Sequence, residues 1–250
     1  MNTVRKACTD SNAWVRRITP PGGSPQLVCL PHAGGTAGFF QPLAGALGPQ
    51  IEVRAVQYPA RQDRLGTPHP ANLHAMADAV VDELLDNPPA ALFGHSMGAL
   101  LAYEITHRLE TAGHRPTALF VSACRQPSTS PDVPRTDTEL VELVTLLGLT
   151  PRAVLEDPEI ATMVLTPLRS DYAALRDYER GTVVRVGCPV TGLAGVHDPL
   201  VAPDELLPWR EWTREELIVH RFPGAHFYLS ENWNRVADVV RARVLPCGPP

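Results

Sequence analysis

Gly94-His95-Ser96-Met97-Gly98 places a serine between two glycines in the pattern G-x-S-x-G. A free serine hydroxyl is a poor nucleophile and needs a base within hydrogen-bond reach. The pattern suits a tight, strained strand-to-helix turn that leaves the serine Oγ exposed. The apolar run Ala91-Leu92-Phe93 precedes it and a helix-like stretch opens at Met97, as that turn requires. A plain glycine-rich turn with a solvated serine is the alternative. The base is expected at His226, in Pro223-Gly224-Ala225-His226-Phe227, and the carboxylate that orients it at Asp198, in Gly195-Val196-His197-Asp198-Pro199. An ionised Asp198 would hold the imidazole in one tautomer and stabilise the imidazolium formed during attack.

The competitors are weaker. Asp204 follows Pro203 in what reads as the first turn of a helix, where a capping role suits it. His220 falls inside a strand and His197 precedes the acid. His69, His74, His107 and His114 are expected to be solvated or core residues. A tetrahedral intermediate also needs two backbone N–H donors. One is expected at Met97, the residue after the nucleophile. The other is expected in Pro31-His32-Ala33-Gly34-Gly35, at Ala33 N–H with Gly34 second, unless that glycine pair is merely a turn. There is no H-E-x-x-H, no clustered Cys/His spacing and no G-x-G-x-x-G, so neither metal, nucleotide nor other cofactor is expected.

These residues need elements to hold them. A buried strand is predicted at Gln26-Leu27-Val28-Cys29-Leu30, an alternating apolar and polar one at Glu52 to Gln57, and further strands at Ala90 to Phe93, Thr117 to Ser122, Pro189 to Ala194 and Leu217 to Phe222. Helices are predicted at Ala71 to Leu85, Met97 to Leu109 and Asn232 to Val244. Strand and helix alternate, which is the pattern of a mostly parallel sheet flanked by helices. Ser96, Asp198 and His226 then all follow strands, at one carboxyl edge. Chain order Ser, Asp, His and the turn at Ser96 point to the α/β-hydrolase fold. Between Arg125 and Gly187 the alternation breaks into short helical stretches at Thr138 to Leu147, Pro158 to Leu165 and Leu168 to Tyr178. A single crossover needs only about a dozen residues, so this segment reads as a helical lid over the sheet edge rather than a flank connection. The expectation is one domain over 1–250, with a core at about 13–124 and 188–245, a lid at about 125–187, and a loose arm over the first dozen residues.

Composition limits the class. With 250 residues, 44% hydrophobic and 20% charged, the chain can bury a substantial core. A formal charge of -5 gives no basic face for nucleic acid. No apolar run approaches a membrane span, and no signal peptide is visible. Five scattered cysteines, without a C-x-x-C pair, argue against a disulfide framework and for a reducing, cytoplasmic setting.

Leu30-Pro31-His32-Ala33-Gly34-Gly35, Tyr58-Pro59-Ala60-Arg61, Gly94-His95-Ser96-Met97-Gly98 and Gly224-Ala225-His226-Phe227 together resemble the type II thioesterases, the editing enzymes of polyketide and nonribosomal peptide synthases. Leu168-Arg169-Ser170-Asp171-Tyr172 is similar to the family's lid helix. The resemblance runs from about residue 25 to 244. It departs at Gly224-Ala225, where the family usually has two glycines. It implies hydrolysis of acyl thioesters from the phosphopantetheine arm of an acyl or peptidyl carrier protein, through an acyl-serine. It implies that Leu140, Leu143, Leu147, Met163 and Leu168 line an acyl chamber, with plain helix packing the alternative for each. Arg61 and Arg64 are candidate contacts for an acidic carrier or the pantetheine phosphate, though a solvated surface role is the stronger expectation. A small-molecule esterase, a type I-like releasing thioesterase and a catalytically silent hydrolase-like binding module are the rival readings. A chain starting at Met1 with no synthase module attached favours the stand-alone enzyme.

Overall fold

The computed structural model describes residues 13–22, 25–128, 133–134, 136–176, 178 and 182–245. The first-dozen arm expected from the sequence lies outside them, as do Cys8 and Cys247. Seven strands form one sheet among the described residues. They are β1 (Val15–Arg17), β2 (Gln26–Leu30), β3 (Glu52–Val56), β4 (Ala91–His95), β5 (Ala118–Ser122), β6 (Val190–Gly195) and β7 (Leu217–Phe222). Their spatial order is β1-β3-β2-β4-β5-β6-β7. Only β1 runs antiparallel, pairing Val15 with Val56, and it was not anticipated. Three residues are too few to show an alternating pattern.

The central strands read as continuous apolar runs because both sheet faces are covered. Successive side chains alternate faces. Val28 and Leu30 of β2 join one core with α2 (Leu73–Leu84) and α3 (Met97–Thr111). Leu27 and Cys29 join the other, against α1 (Gln41–Leu47) and α6 (Leu229–Val244). Asn72 caps α2 by accepting from Ala75 N–H (2.9 Å). The α1 segment was unpredicted, since Gly45 and Pro42 mask its short periodicity. Cys29, Cys124 and Cys188 are buried free thiols.

Between β5 and β6 lie α4 (Asp137–Leu146), a 3-10 turn at Arg152–Glu156 and α5 (Pro158–Arg176). The two helices expected on either side of Pro167 are one. Proline removes the bond to the residue four back, and that residue, Met163, is on the exposed face. Thr162 and Thr166 hydroxyls bond back to Pro158 and Thr162 carbonyls (2.7 Å each), binding successive turns together. Downstream, Pro203–Trp212 is a 3-10 helix. Its capping carboxylate is Glu205, which accepts from Ala202 N–H (2.7 Å). Asp204, expected to cap, pairs with Arg221 instead.

The β4–α3 turn is built on backbone contact. A Cβ on Gly98 would sit 2.1 Å from the Leu30 carbonyl oxygen, and one on Gly94 would sit 2.1 Å from the Gly98 oxygen. Behind the turn, two imidazoles are buried. His32 meets Phe39 and Phe227 edge-on at 4.8 and 4.7 Å. Burial first, then the neighbouring His226, push the His32 imidazole down from 6.5 to about 3. The same causes push His95 well below 6.5.

Gly98→Ala is expected to cost about 3 kcal/mol or more, because backbone and not a flexible side chain blocks the methyl; urea denaturation against wild type measures it. The buried imidazoles also set an acid limit. Below pH 6.5 the unfolded chain takes up a proton on His32 that the folded chain accepts only near about 3. Stability is therefore intact above that upper value and falls as the pH drops below it. His32→Leu should lose less stability than wild type between about pH 7.5 and about pH 5. Urea midpoints at the two pH values check this, and equal losses would acquit His32.

Candidate active site

Ser96 lies between the end of β4 and the start of α3 with φ 55° and ψ −123°. L-residues rarely adopt positive φ, and such strain concentrates at functional sites. The conformation is held by a hydrogen bond from Ser96 N–H to the Ser122 carbonyl (2.8 Å). Met97 opens α3, so its N–H is one of the helix donors without an intrahelical acceptor.

His226 and Asp198 follow β7 and β6. Their loops are held together by backbone: His197 N–H donates to the Gly224 carbonyl (3.0 Å). A Cβ on Gly195 would sit 2.2 Å from the Ala225 oxygen. His226 Nδ1 lies 2.8 Å from Asp198 Oδ2, with both side chains buried. An ionised carboxylate only accepts, so Nδ1 carries the proton and Nε2 is left as the basic nitrogen. Asp198 Oδ1 accepts from Leu200 and Val201 N–H groups (2.8 and 3.3 Å). Gly224 has φ +116°, which calls for glycine. Ala225, the departure from the usual pair of glycines, is exposed, so its methyl meets solvent. Asn232 interrupts α6 with non-helical dihedrals and donates to the Pro223 and Tyr228 carbonyls (3.0 and 2.7 Å), clasping the His226 loop. That role was not legible from sequence. Behind the histidine, His95 Nδ1, Ser122 Oγ and Tyr228 OH form a buried chain at 2.9 and 2.7 Å. His197 is exposed and His220 half-buried on β7, and neither lines the cavity described next.

Ser96, Met97 and His226 line a cavity of about 910 Å³. Its apolar wall combines Leu100 and Val201 of the sheet-bearing part with Leu143 of α4 and Tyr172 and Leu175 of α5. Of the five side chains expected in an acyl chamber, Leu143 faces this cavity. Leu140 and Leu168 are buried in packing, Leu147 is half-buried, and Met163 is 70% exposed. Met163 lies on the exposed face of α5, and for the others the apolar residue type does not show what the side chain meets. A smaller cleft of about 480 Å³ near Thr19, Gln41 and Glu52 holds no nucleophile with a base. Among the described residues no group of three His, Cys, Asp or Glu is placed to bind a metal ion.

The loop after β2 is a turn. Gly35 N–H donates to the His32 carbonyl (2.9 Å), and Gly34 takes φ +77°. Gly34 N–H is engaged by Asp171 Oδ2 at 2.7 Å. Ala33 N–H has no acceptor among the described residues. Arg61 and Arg64, expected at the surface, are buried at 4% and 3% exposure. Arg61 bridges to both Asp171 oxygens (2.8 and 2.6 Å). Arg64 donates to the Gln57 carbonyl (2.7 Å) and stacks over Trp14 at 4.4 Å. Both guanidinium groups are turned into the protein. A sequence shows that an arginine is present but not whether a buried carboxylate waits for it.

Residues 25–244 match the family model for the thioesterase domain. Thioesterase PikA5 of Streptomyces venezuelae is 38% identical over 252 residues, covering 97% of this chain and 89% of that protein. The type II thioesterase BorB from the borrelidin biosynthetic cluster superimposes with TM-score 0.83 at 39% identity, over 92% of this chain and 97% of BorB. RedJ, the thioesterase of the prodiginine pathway of Streptomyces coelicolor, gives 0.79 at 32% identity, over 90% of each chain. A turn built for an exposed serine, a histidine held in one tautomer and a roofed apolar cavity agree with that match: the chain belongs to the thioesterase family and has its α/β-hydrolase fold.

Proposed function

We propose that this chain is a type II thioesterase that hydrolyses acyl groups from the phosphopantetheine arm of carrier proteins and so clears stalled polyketide or nonribosomal peptide synthases. The observation that carries the reading is the shared cavity. Ser96 and His226 line it, Asp198 occupies Nδ1 of the histidine, and α4 and α5 roof it with apolar side chains. That is room for an acyl chain beside a nucleophile. BorB, at 39% identity, is itself a type II thioesterase of a biosynthetic cluster.

In this reading His226 Nε2 takes the proton of Ser96 Oγ as the oxygen attacks the thioester carbonyl. Met97 and Ala33 N–H groups stabilise the oxyanion. The pantetheine thiolate leaves with the proton from His226, and the acyl group stays on Ser96. Water, deprotonated by His226, then releases the acid. Asp198 holds the ring and stabilises the imidazolium in both halves without itself taking a proton. The insertion at 125–187 acts as the lid, and the core spans about 13–124 and 188–245. No described helix is long and apolar enough to cross a membrane.

Ser96→Ala should keep the fold and lower release of acetyl groups from a phosphopantetheinyl carrier protein by several orders of magnitude. Asp198→Asn should lower turnover by about 10⁴-fold, because the wrong tautomer is then favoured. Near-normal rates in Asp198→Asn would remove Asp198 from the triad. Equal rates on carrier-bound and simple oxygen esters would point to a general esterase.

A further inference from the structure

The buried cluster around Asp171 joins the roof of the cavity to the loop that supplies Ala33. Asp171 sits on α5, is fully buried, and accepts four hydrogen bonds. Arg61 supplies two, His69 Nε2 one (2.8 Å) and Gly34 N–H one. Burial on its own would raise the carboxyl, yet the Arg61 guanidinium and the bonds from His69 and Arg61 hold it below the usual carboxylate range. Arg61 is delivered into this site by an unusual backbone. Its neighbours Ala60 and Gln62 both have positive φ, 62° and 47°. Its Nη1 also donates to the Gly35 carbonyl (3.0 Å), and Tyr58 OH donates to the Pro31 carbonyl (2.8 Å). Each polar contact of the Tyr58-Pro59-Ala60-Arg61 stretch with the 31–35 loop therefore fixes a carbonyl of that loop.

The turn itself shows what Asp171 contributes. His32 to Gly35 closes with an i to i+3 bond, and positive φ at Gly34 marks it as type II. Types I and II differ by a flip of the central peptide, here the one between Ala33 and Gly34. The N–H of that peptide is the group Asp171 accepts. Leu168, one turn earlier on α5, closes the same approach, since a Cβ on Gly34 would meet its Cδ2 at 2.8 Å.

We infer that Asp171 is a positioning residue for the oxyanion loop: by accepting from Gly34 N–H it pins the turn that carries Ala33, and the lid helix in this way fixes where the Ala33 N–H stands. The inference rests on the reading of Ser96 as nucleophile and Ala33 as oxyanion donor. It makes the lid a structural part of the site that stabilises the transition state, not only its roof.

Asp171→Ala removes the acceptor of Gly34 N–H, which an asparagine could keep through its amide oxygen. Expected are a KM for the acyl carrier within about threefold of wild type and a kcat lower by about 100-fold, the scale of one lost oxyanion donor. A trifluoromethyl ketone, which Ser96 converts to a hemiketal with its oxygen in the oxyanion hole, should lose affinity by a similar factor. Tyr178→Phe serves as the control. It breaks a different buried tie of the lid, Tyr178 OH to Glu104 Oε1 (2.9 Å), without touching the loop. It should lower the melting temperature and leave ketone affinity intact. Unchanged kcat and ketone affinity in Asp171→Ala, or equal loss in Tyr178→Phe, would overturn the inference and leave Asp171 a lid strut. If Asp171→Ala does not fold, hydrogen exchange of the wild type with and without the ketone decides. Residues 31–40 and 168–176 must gain protection together, and protection of the loop alone overturns the coupling. Failure of wild-type Ser96 to label with a fluorophosphonate would instead remove the nucleophile reading beneath it.

Discussion

The turn at Ser96 joins a strand buried on both faces to a helix buried around most of its length, and it does so with almost no space between backbones. Gly98 lies against the Leu30 and Pro31 carbonyls, and Gly94 against the first turn of α3. Those contacts fix the serine's backbone in a region that would relax if either neighbour carried a side chain. They also fix the distance between the end of β4 and the end of β2, where the Ala33 loop begins. The His226 and Asp198 loops are then pinned to each other through the Gly195–Ala225 approach. Side-chain geometry at the site is thus inherited from backbone packing two or three residues away.

Much of this was legible before any coordinates. The β strands at the centre of the sheet are apolar throughout because they are covered twice, and their ends are marked by glycine and proline. Residues placed just past those ends necessarily share an edge, which is why Ser96, Asp198 and His226 were named together. What stayed hidden depends on long-range partners. Arg61 and Arg64 look like any surface arginines until Asp171 and Trp14 are found beside them. Asn232 reads as an ordinary helical residue, yet its side chain clasps a loop nine positions earlier. Pro167 looked like a helix end because the hydroxyl bonds and the exposed turn that accommodate it carry no local signature.

Polar groups in the interior follow one logic. The imidazoles of His32 and His95 are kept neutral by burial, so no second cation competes with the imidazolium that His226 becomes. Glu104 and Asp171, both fully buried, are instead met by arginine, histidine or tyrosine partners. A buried charge that loses a partner is costly, so each such cluster specifies its own neighbours. The lid is consequently tied down by directional contacts at Asp171 and Tyr178, while α4, whose Asp137 pairs with Arg169 in solvent, is held mainly by Leu140 and Val144.

The bond between Asp171 and Gly34 spans 137 positions, and that between Asp171 and Arg61 spans 110. Such distant closures carry a large entropic penalty and form slowly. During synthesis, β2, β4 and the Ser96 turn all leave the ribosome before Asp171 does. Strands β6 and β7, with Asp198 and His226 just past them, follow it, so the nucleophile comes first, the helix that locks the loop second and the base last. A nascent chain not yet extended past residue 226 thus already carries its roof but lacks the base that its serine needs.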